Sequence, residues 1–175
     1  MSSTWIIDAF NLIRQSQDLS EIEALSLDKA KARLLSRLKN FSEASGEKII
    51  CVFDATGSTN AQRMEEPHGP VKFIYTKAFE IADEVIIEMA RERKESAIIV
   101  SSDREIIEAS EKAGSTTMKS QEFDRILYQL ESQALGESDE EESGFDPKRG
   151  PKKKGSAFKR PKKDRKIYGK IKKWL

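Results

Sequence analysis

Short, uninterrupted apolar runs recur through the first 135 residues, and most are followed by a stretch whose apolar positions fall three and four residues apart. The runs lie at 4–8 (Thr-Trp-Ile-Ile-Asp), 48–54, 71–75 and 97–101, with a weaker β-branched candidate at 116–118. Continuous Ile, Val and Phe, rather than apolar–polar alternation, predict strands covered on both faces, the habit of parallel sheets. Helical spacing occupies 27–44 (Leu27, Leu34, Leu38 and Phe41 among its apolar positions), where Gly46 supplies a stop, and then 81–90, 104–113 and 121–135. Strands alternating with helices predict an α/β, doubly wound, mainly parallel sheet of about five strands with helices on both faces. No internal repeat is visible.

Charge divides the chain further. The total of 31 Lys+Arg against 30 Asp+Glu conceals three blocks. Residues 1–136 carry 17 basic and 23 acidic side chains, residues 137–146 six acidic and no basic ones, and residues 147–175 fourteen basic and one acidic. The expected organisation is a folded domain over 1–135, an acidic linker over 136–146 and a basic tail over 147–175. The tail is too poor in apolar residues to offset its ordering entropy, so it is expected to be disordered when free. Its Lys and Arg residues, with Phe158, Tyr168 and Trp174 among them, suit RNA or the ribosome as partner, by phosphate neutralisation and base stacking.

Composition also excludes several classes. No run approaches the roughly 18 apolar residues of a membrane span, and no basic-then-apolar leader precedes a small-residue cleavage site. The single cysteine, Cys51, cannot form an internal disulfide, and the single histidine, His68, cannot anchor a His/Cys zinc site. The expectation is a reduced, soluble, cytoplasmic protein without a small-molecule cofactor, with Cys51 a buried inert thiol and His68 an exposed loop residue.

Candidate chemistry resides in the aspartates. Asp8, Asp54 and Asp103 each sit at, or just past, the carboxyl end of a predicted strand. In an open parallel sheet those ends share one edge, where ligands bind at a topological switch point. Adjacent strands are about 4.8 Å apart, which brings such acids within roughly 10 Å of one another. Carboxylates that close raise each other's pKa, and a divalent cation relieves the conflict. Oxygen-only ligands favour Mg²⁺ or Mn²⁺. Asp83, opening the helix after the third strand, can supply a fourth carboxylate. Asn11, in the loop leaving the first strand, offers a neutral amide for a phosphate or a metal-bound water. Local alternatives exist: Ser102-x-x-Glu105 matches a capping box, and Asp83 and Glu84 complement a helix dipole. Taken jointly, the acids favour a site. The 56–70 segment leaves the same edge, and either rims a substrate groove, offering Arg63 to phosphate, or merely connects.

These residues resemble a known family. Asp8-Ala9-Phe10-Asn11 is similar to the Asp-x-x-Asn signature of NYN domains, the PIN-like nucleases. Val52-Phe53-Asp54-Ala55, Tyr75-Thr76, Ala82-Asp83-Glu84 and Ser101-Ser102-Asp103 follow in the order of the YacP-like branch, which includes a ribosome-associated endoribonuclease. The resemblance covers roughly residues 1–130, with Ala9-Phe10 standing where members often carry Gly-Tyr. It implies an acidic metal-binding cluster of Asp8, Asp54, Asp83 and Asp103, assisted by Asn11, with Thr76 and Ser102 as further polar groups. Asp8 and Asp103 would ligate the metal directly, Asp83 would ligate or orient the attacking water, and Asp54 would support them. The implied activity is metal-assisted hydrolysis of RNA phosphodiesters.

Competing activities fit less well. A haloacid-dehalogenase-type phosphatase needs a second acid where this chain has Phe10. A receiver-like phospho-acceptor at Asp54, with Ser101 or Ser102 and Lys119 nearby, lacks paired acids after the first strand and gives Asp103 no role. The remaining alternative is a non-catalytic RNA- or ribosome-binding module with the tail as its working part.

Overall fold

In the computed structural model, residues 3–134 are described; residue 135, the acidic linker and the basic tail lie outside the described residues. The chain runs β1 (Thr4–Asp8), α1 (Ala9–Gln15), α2 (Gln17–Leu25), α3 (Leu27–Ser45), β2 (Lys48–Phe53), β3 (Met64–His68), β4 (Val71–Tyr75), α4 (Ala82–Arg93), β5 (Ala97–Val100), α5 (Arg104–Lys112), β6 (Thr116–Met118) and α6 (Ser120–Ala134). The strands form one sheet in the order β3-β4-β2-β1-β5-β6, parallel throughout except for β3 at the edge.

Both faces of the sheet are covered, as continuous apolar runs require. Trp5, Ile7, Cys51, Phe53, Phe73 and Val100 point to the side of α1, α3 and α6. There Trp5 packs against Phe41, edge-on at 4.9 Å, and against Phe123, stacked at 5.2 Å. Ile6, Val52 and Ile99 point the other way, onto Val85, Ile86 and Ala90 of α4 and Ile106 of α5. On the first side, Arg37 of α3 is only 3% exposed and meets three acids: Asp18 of α2 at 2.8 Å, and Asp124 and Glu131 of α6 at 3.3 and 3.0 Å. One guanidinium thus ties three helices together. No helix among the described residues is long and apolar enough to cross a membrane.

Four local expectations need correction. Residues 9–25 form two helices, so Asn11 lies in the first turn of α1 and not in a loop. These helices are too short to show several repeats of an apolar stripe, and α2 buries only Leu19. The 56–70 segment contains the sixth strand, β3, which escapes notice because Met64, Glu65, Glu66 and Pro67 are all exposed. Its pairing with β4, from Met64 against Tyr75 to His68 against Val71, makes it an edge strand, where Pro67 is tolerated. His68 accordingly is not a loop residue: it ends β3, partly buried, with its ring edge-on to Phe73 at 5.1 Å. The cap of α5 is Asp103, not Ser102. Gly46 does end α3, its left-handed backbone (φ 71°) passing its N–H to the Ser42 carbonyl at 2.8 Å.

Candidate active site

The chain leaves the central strand β1 for β2 and β4 on one side, and returns to β5 on the other, so the switch point of the sheet lies between β1 and β5. In register, Ile7 stands between Cys51 of β2 and Val100 of β5. One step on, Asp8 ends β1 and Ser101 follows β5. Alternation places Asp8 on the face of Ile6, toward the start of α4.

Asp8 is 8% exposed and is held at both oxygens. Its Oδ1 accepts the Asn11 amide N–H at 3.2 Å, which caps α1, and its Oδ2 accepts the Ser101 hydroxyl at 3.1 Å. Burial pushes its pKa up to about 6, against these two hydrogen bonds, and the charges of Asp83 and Asp103 add to the rise. Asp83, in the first turn of α4, is also raised, chiefly by desolvation and then by Asp103, Glu105 and Asp54. Asp8, Asp83 and Asp103 therefore lie within electrostatic reach of one another, and Asp54 within reach of Asp83.

Asp8, Asp54, Asp83 and Asn11 line one cleft of about 630 Å³ at the carboxyl end of the sheet. Asp54 accepts the Thr56 hydroxyl at 2.7 Å through Oδ1. Asp103 caps α5 through Oδ1, accepting the amides of Glu105 (2.7 Å) and Ile106 (3.4 Å), and Oδ2 takes no part in that cap. Its own amide donates to Ser101 Oγ at 3.1 Å, so Ser101 links it to Asp8.

The polar residues have different surroundings. Asn11 Oδ1 accepts the Ser102 amide at 2.9 Å and the Ser120 hydroxyl at 2.7 Å, clamping α1 to the segment before α5 and the start of α6. Ser102 Oγ donates to Gln121 Oε1 at 2.8 Å and accepts the Ser120 amide at 3.2 Å. Thr76 is buried, and its Oγ1 accepts the Ala55 amide at 2.8 Å, fixing the turn that presents Asp54. Arg63 is not brought to the cleft. Its guanidinium pairs with Glu80, at 2.8 Å, and with Glu88, and these contacts hold its pKa far above the usual range, the Glu80 hydrogen bond contributing most. This bridge fastens the 56–63 turn to the loop before α4, together with the Ala78 amide on the Asn60 carbonyl at 2.8 Å. Cys51 is buried beneath the site, and burial, with the Asp8 charge, pushes its thiol up. Such a thiol is unreactive.

The cleft also contains groups that the periodicity of the sequence does not mark as functional: Phe10, Phe53 and Tyr75 as rings, and Arg14 and Lys31 as cations. The available signal was positional, since Phe53 and Tyr75 each end a strand directly before a candidate site residue.

Among the described residues, none of Asp8, Asp54, Asp83 or Asp103 belongs to an ion pair. No three His, Cys, Asp or Glu side chains among the described residues stand close enough to clasp one ion by themselves. Mg²⁺ does not need that: it retains several waters and binds through one or two carboxylates. Hard, unpaired, partly desolvated carboxylates fit such an ion.

Comparison with known proteins places this architecture. The protein YacP of Bacillus subtilis (strain 168), described as uncharacterized, is 29% identical over 86 residues, 49% of this chain and 50% of that protein. The match therefore spans half the length of that curated relative. Crystal structures of Rae1 (YacP) from Bacillus subtilis, in one form and as a tryptophan-to-leucine mutant, superpose with a TM-score of 0.63 each. They are 23% and 22% identical, covering 78% and 77% of this chain and 79% and 80% of theirs, and they share its fold. A family model described as the YacP-like NYN domain matches residues 5–166, further along the chain than the motifs at 8–103 reach. The chain belongs to the YacP-like NYN domain family.

Proposed function

We propose that the protein is a metal-dependent endoribonuclease that hydrolyses phosphodiester bonds of messenger or ribosome-associated RNA, with residues 147–175 recruiting the RNA or the ribosome. The observation that carries this reading is Asp8. A nearly buried carboxylate that has other carboxylates as its charged neighbours and, among the described residues, no cationic partner costs stability unless a further cation compensates. Family membership and the resemblance to PIN-like nucleases support the same reading.

Asp8 and Asp83 would hold Mg²⁺ or Mn²⁺, with Asp103 through its free Oδ2 and Asp54 in support. When bound, the ion supplies a nucleophilic water at neutral pH and stabilises charge developing on the phosphate. The chain's own groups provide orientation. Ser101 and the Asn11 amide fix the plane of the Asp8 carboxylate, and Thr76 holds the turn behind Asp54. The clamp from Asn11 to Ser102 and Ser120 keeps the two sides of the switch point in register.

The test uses the full chain. With Mn²⁺, wild type should cleave RNA, and Asp8→Asn and Asp83→Asn should each lose about a hundredfold or more, since even outer groups of metal sites cost 10–100-fold. Mn²⁺ should also raise the melting temperature of wild type and not that of Asp8→Asn, which reads binding without activity. If Asp8→Asn cleaves as fast as wild type, or wild type cleaves nothing, the protein is an RNA- or ribosome-binding module instead.

A further inference from the structure

The carboxylates occupy only part of the cleft. Phe53 and Tyr75 are register partners on β2 and β4, and their rings stack at 5.2 Å with 19° between planes. Phe10 meets Phe53 edge-on at 5.7 Å. Two cations lie over this wall: Lys31 Nζ is 4.8 Å from the Tyr75 ring and 5.2 Å from that of Phe53, and Arg14 Cζ is 5.3 Å from the Phe10 ring. The Tyr75 hydroxyl donates to Glu66 Oε2 at 3.1 Å, which fixes the plane of its ring.

Like most Lys and Arg side chains among the described residues, Arg14 and Lys31 form no ion pair. What sets these two apart is their place, over rings in the cleft that Asp8, Asp54 and Asp83 line. A cation over a ring is held weakly at an exposed site and keeps its N–H donors for an anion. Half-buried Phe10 and Tyr75 retain ring surface toward the cleft, whereas Phe53 is buried behind them. Rings for a base, cations for a phosphate and carboxylates for a metal therefore share one cavity.

We propose that Phe10, Tyr75, Lys31 and Arg14 form a subsite for one unpaired nucleotide next to the phosphate at the carboxylates. Lys31 and Arg14 take the backbone phosphates, and Tyr75 with Phe10 offers a face to the base. A base inside a duplex has both faces covered, so the subsite selects single-stranded or looped RNA; any base has a face to offer, so it reads no particular sequence. The identity of the neighbouring phosphate as the one cut rests on the nuclease reading; the binding itself does not.

The experiment titrates the full chain, in EDTA, into a short single-stranded RNA bearing a central 2-aminopurine, whose fluorescence is quenched on stacking. Wild type should quench it, and the same RNA annealed into a duplex should not be quenched further. Lys31→Gln, which removes no core side chain, should weaken the quenching transition about tenfold, Tyr75→Leu should abolish it, and Tyr75→Phe should retain it. A melting curve checks that Tyr75→Leu is folded. Absence of quenching by wild type, equal quenching by Lys31→Gln, or equal response of the duplex overturns the subsite. Cleavage by wild type matched in rate by Lys31→Gln and Tyr75→Leu removes the subsite and leaves the nuclease. Quenching by a wild type that cuts nothing with Mn²⁺ leaves the subsite and removes the nuclease.

Discussion

Ser101 donates its hydroxyl to Asp8 Oδ2 at 3.1 Å, across 93 residues of chain and across the switch point of the sheet. Ser101 Oγ in turn accepts the Asp103 amide at 3.1 Å. Two acids from separate strand ends are thereby mounted on one buried hydroxyl, itself placed by the parallel pairing of β1 with β5.

Removing that hydroxyl has two readable consequences. Ser101→Ala leaves Asp8 Oδ2 without its donor, so the Asp8 pKa, already up at about 6, should rise further. The lost hydrogen bond to a charged group should cost about 1.5–3 kcal/mol near neutral pH. Carboxyl-detected NMR titration reads the first effect and urea unfolding the second. An unchanged Asp8 titration would count against the hydroxyl as the group that holds it.

The raised pKa of Asp8 has a definite sign for stability. The folded value, about 6, lies above the unfolded one of about 3.9, so between them the native state binds more protons than the unfolded state. The ionised carboxylate therefore opposes folding near neutrality, and that cost disappears as pH falls through 6 toward about 4. In metal-free buffer, Asp8→Asn should be more stable than wild type by about 3 kcal/mol near pH 7, and most of the difference should be gone near pH 4. Urea midpoints at the two pH values check it.

Asn11 divides a structural role from a direct one. Asn11→Ala removes the acceptor shared by the Ser102 amide and the Ser120 hydroxyl, and should cost about 1–3 kcal/mol. Asn11→Asp keeps an acceptor and should recover most of that loss. If Asn11→Asp also restores cleavage, the residue positions the site; if it restores stability alone, its amide contacts RNA.

Arg37 bears on stability alone. Arg37→Met would leave Asp124 without its cation, and Asp18 and Glu131 with Arg33 only. The lost hydrogen bonds between charged groups should cost about 1.5–3 kcal/mol. Arg37 does not line the cleft, so the folded fraction of the variant should keep the wild-type response to Mn²⁺. Calorimetric melting with and without Mn²⁺ checks both statements.

Reading residue patterns succeeds where burial is heavy. The runs at β1, β2, β4 and β5 are dictated by water's exclusion from both faces of the sheet, a constraint that applies to each segment separately. It fails where an element exposes its side chains, as β3 does, or is too short to repeat a stripe, as α1 and α2 are. The same limit applies to the polar residues. The family resemblance placed Thr76 and Ser102, and residue type Arg63, as candidates for substrate; the fold turns Thr76 to the Ala55 amide, Ser102 to Gln121 and Arg63 to two glutamates.

The amino-acid order alone determines that strands alternate with helices, that aspartates fall at the ends of parallel strands, and that acidic and basic blocks follow the domain, because these depend on local periodicity and composition. Tertiary structure alone decides which of those acids lose their water, that none of them is ion-paired among the described residues, and that two cations and three rings share their cleft. Desolvation and pairing are properties of what surrounds a side chain, and the surroundings of Asp8 come from β5, α1 and α4, segments that meet only when the sheet is assembled.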